Sequence, residues 1–149
     1  MLVKSLNEKT ILENIARFEQ KNNLKLSDQY KHFLLAYNGG YVEPNVFKIS
    51  DEQGESALNI LYGLDISEDH DELSSVYETM DGIIPSNFIS IGDDAGGNQI
   101  CLGLNELYYG KIFIWIHDMG EDEEMNNMFL LANDFNSFLD NLYEDGADD

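Results

Sequence analysis

Between residues 88 and 116 the chain carries three short apolar runs, FISI (88–91), QICLGL (99–104) and KIFIWI (111–116), with only brief polar loops between them. Runs of this length, rich in Ile and Phe and bounded by Gly and Asp, read as strands. Connections so short cannot carry a parallel crossover, so neighbouring strands must run antiparallel. VFKI (46–49) and LNILYGL (58–64), separated by the polar stretch SDEQGES, extend the pattern towards the N-terminus, and FLL (129–131) adds a short run after it. The middle of the chain is therefore a sheet, and whatever is helical has to pack against it.

Helical periodicity sits mostly at the two ends. Ile11, Leu12, Ile15 and Phe18 share a face, and Ser5 and Glu8 stand at capping-box spacing, which predicts a helix over about residues 6–22. A second helix starts after Ser27, whose hydroxyl can cap it, and carries the stripe Tyr30, Phe33, Leu34 and Tyr37. Asn38-Gly39-Gly40 ends it, glycine being suited to the left-handed conformation of a helix terminus. A short helix fits DELSSVYETM, stopped by Asp81-Gly82 and by the restriction Pro85 places on its neighbour. A last helix over about 134–144, capped by Asn133 or Asp134, aligns Phe135, Phe138, Leu139 and Leu142. The fold class is α+β, with helices packed mainly on one face of a mostly antiparallel sheet. QICLGL and KIFIWI are apolar on both alternations, so either both sheet faces are covered or one apolar face awaits a partner.

The 149 residues fit one domain with a substantial core. The charge is lopsided: 29 Asp and Glu against 8 Lys and Arg give a formal net charge of −21. Such a surface repels nucleic acid and anionic membranes and attracts basic proteins, although acidity also serves solubility alone. Cys101 is the only cysteine, which precludes an internal disulfide and suits a reducing compartment. The first residues, MLVKSLNEKTILENIARF, hold no continuous apolar stretch, and no run of the chain is long enough to span a membrane. The expected location is the cytoplasm.

GDDAGGNQ (92–99) poses the chemical question, because Gly92 and Gly97 are spaced like the glycines of a phosphate-binding loop. That loop needs a Lys and a following helix, whereas here Asn98 and Gln99 lead into the strand-like ICLGL, and Asp93 and Asp94 would repel phosphate. No dinucleotide fingerprint is present. Asp93, Asp94 and Asn98 offer hard oxygens, but not at the alternating spacing of a calcium loop, and no metal or other cofactor is expected. Nucleophilic catalysis would require Cys101 with one of His32, His70 or His117, and Cys101 lies inside an apolar run where a thiol acts as a small hydrophobe. His117 ends KIFIWI and approaches Cys101 only if the two strands pair favourably. The residues point away from an enzyme and towards a tight strand connection, with glycines supplying positive φ and Asn98 bonding nearby backbone.

Acidic clusters remain at DISEDHDE (65–72), DMGEDEE (118–124) and the tail EDGADD (144–149), each flanking an expected element and so expected to be exposed. Two of the acidic loops, GDDAGG and DMGEDEE, flank the central strands and, depending on strand order, could focus a negative field on one rim of the sheet. The candidate partner-binding residues are Asp93, Asp94, Asp118, Glu121, Asp122, Glu123 and Glu124.

Four blocks also resemble a known family: LKLSDQYKHFLLAYNGG (24–40), FISIGDDAGGNQICLG (88–103), GKIFIWIHD (110–118) and LLANDFNSFL (130–139). In this order they are similar to the SUKH superfamily, which includes fungal cell-wall-assembly regulators of the Smi/Knr type and many bacterial immunity proteins. The resemblance implies one such domain over 1–149, a curved mixed sheet with helices against it, and no catalytic activity. By that likeness Gly39, Gly40, Gly92, Gly97 and Asn98 are turn positions, and Tyr30, Phe33, Leu34, Trp115, Phe135 and Phe138 belong to the apolar framework. Ser27 stands where the family often has proline, a small change because both start helices. For function the resemblance implies an antitoxin that binds a cognate basic toxin domain, often a nuclease; a regulatory scaffold without toxin neutralisation is the alternative.

Overall fold

The computed structural model describes residues 1–119 and 125–145. The elements run β1 (Leu2–Lys4), α1 (Leu12–Asn22), α2 (Asp28–Tyr37), β2 (Tyr41–Glu43), β3 (Val46–Ser50), β4 (Gly54–Leu61), α3 (Leu73–Thr79), β5 (Phe88–Asp94), β6 (Gln99–Gly103), β7 (Ile112–Trp115), β8 (Met128–Ala132) and α4 (Phe135–Asp140). Six strands form one sheet in the order β3-β4-β5-β6-β7-β8, each antiparallel to its neighbour, and β1 pairs with β2 in a separate ribbon. The isolated bridge between Gly63 and Glu72 is a parallel pairing outside the named strands. Register shifts within the β3–β4, β4–β5, β5–β6 and β7–β8 pairs mark bulges, which bend strands and raise local twist. The sheet curls until β3 approaches β8, and Val46 exchanges backbone hydrogen bonds with Tyr143 at 3.0 and 2.9 Å.

Alternating side chains of β6 and β7 enter two different apolar layers. Ile100, Leu102, Ile112 and Ile114 face the main core, built with Ile15, Tyr30 and Phe135 of the helices. Cys101, Phe113 and Trp115 face a smaller layer with Ile84, Phe88 and Met128, against which Tyr108 and Met125 pack. Both faces of the central strands are therefore buried, which explains why neither alternation of QICLGL or KIFIWI is polar.

The N-terminus departs from the sequence reading. The helix expected from residue 6 begins at Leu12, with Ile11 in the cap position and no side-chain cap. Ser5 instead accepts from the Asn7 N–H at 3.3 Å, and Asn38 fixes the segment ahead of the helix: its side-chain NH₂ donates to the Glu8 carbonyl at 2.9 Å, while the Asn7 amide donates to the Asn38 carbonyl at 2.8 Å. These tertiary bonds keep the stretch out of the helix and override the local capping pattern. Ser27 does cap α2, accepting from Tyr30 N–H at 3.4 Å, and Asn38 takes the left-handed conformation that ends it. The last helix is shorter than expected, ending at Asp140, with Asp134 as its cap.

Candidate partner-binding site

The loop 92–99 joins β5 to β6, and each of its polar side chains has a separate task. Gly97 turns the chain at φ +83°, the left-handed region. Gly92 is needed for a different reason: a Cβ there would lie 2.6 Å from the Ile60 carbonyl oxygen on the neighbouring strand. Asp94 is only 4% exposed, and its carboxylate accepts from Ser56 Oγ (2.7 Å), Gly96 N–H (3.0 Å), Asn98 N–H (2.7 Å) and Asn98 Nδ2 (2.9 Å). Asn98 Oδ1 then accepts from His117 N–H at 3.0 Å, and His117 Nε2 lies 2.8 Å from the Gly96 carbonyl. The loop is thereby tied to β4 on one side and to the end of β7 on the other. The expectation that Asp94 is available to a partner is corrected: its oxygens hold the turn.

Asp93 has the opposite fate. It pairs across the sheet with Gln99, and directly opposed residues of antiparallel strands share a face. Its Oδ1 accepts from Asn59 Nδ2 at 2.9 Å while the side chain stays half-buried. Burial pushes its carboxyl above the usual range; the Asn59 bond works against that shift, and the nearby Asp71 adds to it. Beside it the Gln99 Oε1 accepts from the Tyr62 hydroxyl at 2.8 Å and from Ser90. Burial raises the Tyr62 phenol above its usual value, so it remains a proton donor to Gln99. Tyr62, Ser90, Gln99 and Asn59 were not among the sequence candidates; only the strand register shows that they surround Asp93.

Among the remaining candidates, Asp118 lies in the 117–119 turn after β7 and its side chain is 82% exposed, 3.2 Å from His117 Nδ1. The hydrogen bonds between Asn98, Gly96 and His117 place the loop 92–99 against the start of the 117–119 turn, so two of the acidic segments adjoin at one rim. Glu121, Asp122, Glu123 and Glu124 lie outside the described residues, as do positions 146–149 of the acidic tail. In DISEDHDE the expectation of full exposure is corrected at Glu72, which is buried at the start of α3. Its carboxylate accepts from Ser74 N–H (3.2 Å), Ser75 N–H (2.9 Å) and Asp65 N–H (2.9 Å), satisfying donors that a helix start leaves open.

Cys101 and His117 do not meet as a nucleophile and its base. The thiol is fully buried and turned to the Gln99 carbonyl at 3.7 Å, and burial pushes it far above the range in which a thiolate forms. The His117 ring is engaged with the Gly96 carbonyl instead. Among the described residues no group of three His, Cys, Asp or Glu side chains is placed to hold a metal ion, and no helix is long and apolar enough to cross a membrane.

Comparison with known proteins agrees with this architecture. Residues 11–141 match the model of the SMI1 / KNR4 family (SUKH-1). A curated relative, the SPbeta prophage-derived uncharacterized protein YokK of Bacillus subtilis (strain 168), is 30% identical over 152 aligned residues, covering 89% of this chain and 74% of the relative.

Proposed function

The chain belongs to the SMI1 / KNR4 family (SUKH-1), and from that premise we propose that it is a cytoplasmic immunity protein that binds a basic toxin domain, in the first instance a nuclease, and masks it. The observation that carries this reading is the net charge of −21 combined with two acidic segments, 92–99 and 117–119, which hydrogen bonds from His117 to Asn98 and Gly96 hold side by side. A nuclease has to attract phosphate, so the surface around its active site is cationic, and an acidic protein can occupy that surface by complementary charge. Masking of this kind needs no reaction. It needs steering charges at the rim and an anchor that desolvates on docking. Asp93, Asp118, Glu121, Asp122, Glu123 and Glu124 are the residues we assign to the docking edge.

The test is co-expression with the large open reading frame beside its gene. The expected result is a co-purifying complex and restored growth of cells that the neighbouring product otherwise kills. A stable complex that leaves the partner's toxicity or activity intact would replace the immunity reading with that of a regulatory scaffold.

A further inference from the structure

α3 stands beside β5, and between the helix and the strands β5 and β6 a cleft of about 540 Å³ opens. Its lining is mixed. Val76 of α3 and Met80, which caps the end of that helix, contribute apolar surface, while Asp93 and Gln99 of the sheet, with Ser75, Glu78 and Thr79 of the helix, contribute polar groups. Asp69 and His70, from the turn that precedes α3, complete its border, His70 lying 3.5 Å from Asp71.

We propose that this cleft receives an arginine side chain of the basic protein that the chain binds. The inference rests on the immunity reading for the nature of the partner, and on the cleft alone for the place and the residue. Arginine combines an aliphatic stem with a flat cationic head, so it suits a slot that offers apolar surface beside carboxylate and amide acceptors. Asp93 supplies the acceptor: its carboxylate is bonded by the neutral Asn59 amide and the Ile60 backbone, and neither neutralises its charge. Among the described residues no Lys or Arg forms an ion pair with Asp93, Asp69 or Glu78, the observed pairs of Lys4, Arg17, Lys31 and Lys48 lying elsewhere. The carboxyl of Asp93 is held above the usual range mainly by desolvation, with Asp71 and Asp94 adding to the effect, and the charge of a docked cation would oppose that shift by favouring the ionised form. The floor is tied down because Tyr62 and Ser90 both donate to Gln99 Oε1, so a docking group meets a preformed surface. A guanidinium is more weakly hydrated than an ammonium and loses less on entering such a half-buried slot, which selects arginine over lysine.

The probe is N-acetyl-arginine amide, titrated into the isotope-labelled protein and followed by amide NMR shifts, with the citrulline and lysine analogues as comparisons. The expected result is saturable shifts centred on Val76, Met80, Asp93 and Gln99 with arginine, absent with uncharged citrulline and weaker with lysine. Asp93→Asn is expected to reduce arginine affinity about tenfold, the equivalent of one charge-assisted contact, whereas Glu52→Gln on the exposed β3–β4 turn leaves it unchanged. An undisturbed spectrum of the free Asp93→Asn protein shows that the fold survives. Shifts scattered over the acidic surface, or equal responses to arginine and citrulline, would overturn the proposal. No toxin enters this titration, so its failure leaves the co-expression result standing, and failure of co-expression leaves the titration standing.

Discussion

Asp94 and Asp93 are neighbours with the same side chain, and the structure gives them opposite energetic signs. In Asp94→Ala the carboxylate that accepts four hydrogen bonds disappears from a site only 4% exposed. Hydrogen bonds to a charged group contribute about 1.5–3 kcal/mol each, but such values do not add within one network. Gly96 is exposed and Asn98 partly so, so their freed N–H groups can recover water. Ser56 Oγ and the Asn98 amide lose their partner in a less accessible place. The net cost expected is therefore about 2–3 kcal/mol, near the value of one such bond rather than four. For a domain of this size that corresponds to a fall in Tm of about 4–12 °C. Urea and thermal unfolding of Asp94→Ala beside wild type measure it. A variant within about 0.5 kcal/mol of wild type, the range of ordinary surface changes, would refute the view that this carboxylate organises the loop.

Other consequences concern Asp93 and Trp115. Asp93 has a raised carboxyl pKa, so the stability tied to its neutral form is fully present below the unfolded value of about 3.9 and is lost as pH rises through the higher folded value. Asp93→Asn, neutral at every pH and still able to accept from Asn59, is expected to melt at or above the wild-type temperature at pH 7, with the gap closing as pH falls towards 4; thermal melts across that range would contradict this if the variant is less stable at pH 7. Trp115 is 6% exposed in the smaller apolar layer, so Trp115→Ala is expected to cost about 3–5 kcal/mol, and an unchanged urea midpoint would remove it from that layer.

The strands of the large sheet were legible because their apolar runs are dense and their connections short, and the double apolar alternation of QICLGL and KIFIWI left full cover or a face awaiting a partner, of which the structure shows full cover. β1 and β2 were not, since Leu2–Lys4 and Tyr41–Glu43 offer three residues each without pattern and gain their identity from pairing with one another across the chain. The Ser5 and Glu8 pair misled because Asn38 and its partners hold that segment outside the helix, a tertiary effect no local spacing reports. Glu72 was counted with a solvated cluster because Glu is not a favoured capping residue, yet its carboxylate takes the cap position of α3. The site was less readable than the fold. Which of Asp93 and Asp94 faces outward depends on register, and the bulge between Ser90 and Gly92 resets that register just before the loop. Tyr62 and Gln99 are 37 residues apart and meet only through strand order.

The central claim is that acidic residues at one rim steer a basic partner into place. Stopped-flow association with the purified toxin domain, measured against ionic strength, tests it most directly. Wild type is expected to associate roughly 10- to 1000-fold faster at low salt than a neutral reference, and to slow as the screening length shortens below about 8 Å. Replacing Glu121, Asp122, Glu123 and Glu124 with Lys is expected to lower the association rate and flatten its salt dependence, with dissociation changing less because the docked contacts remain. Association that is equally fast in the reversed variant, or indifferent to salt in wild type, would contradict the account.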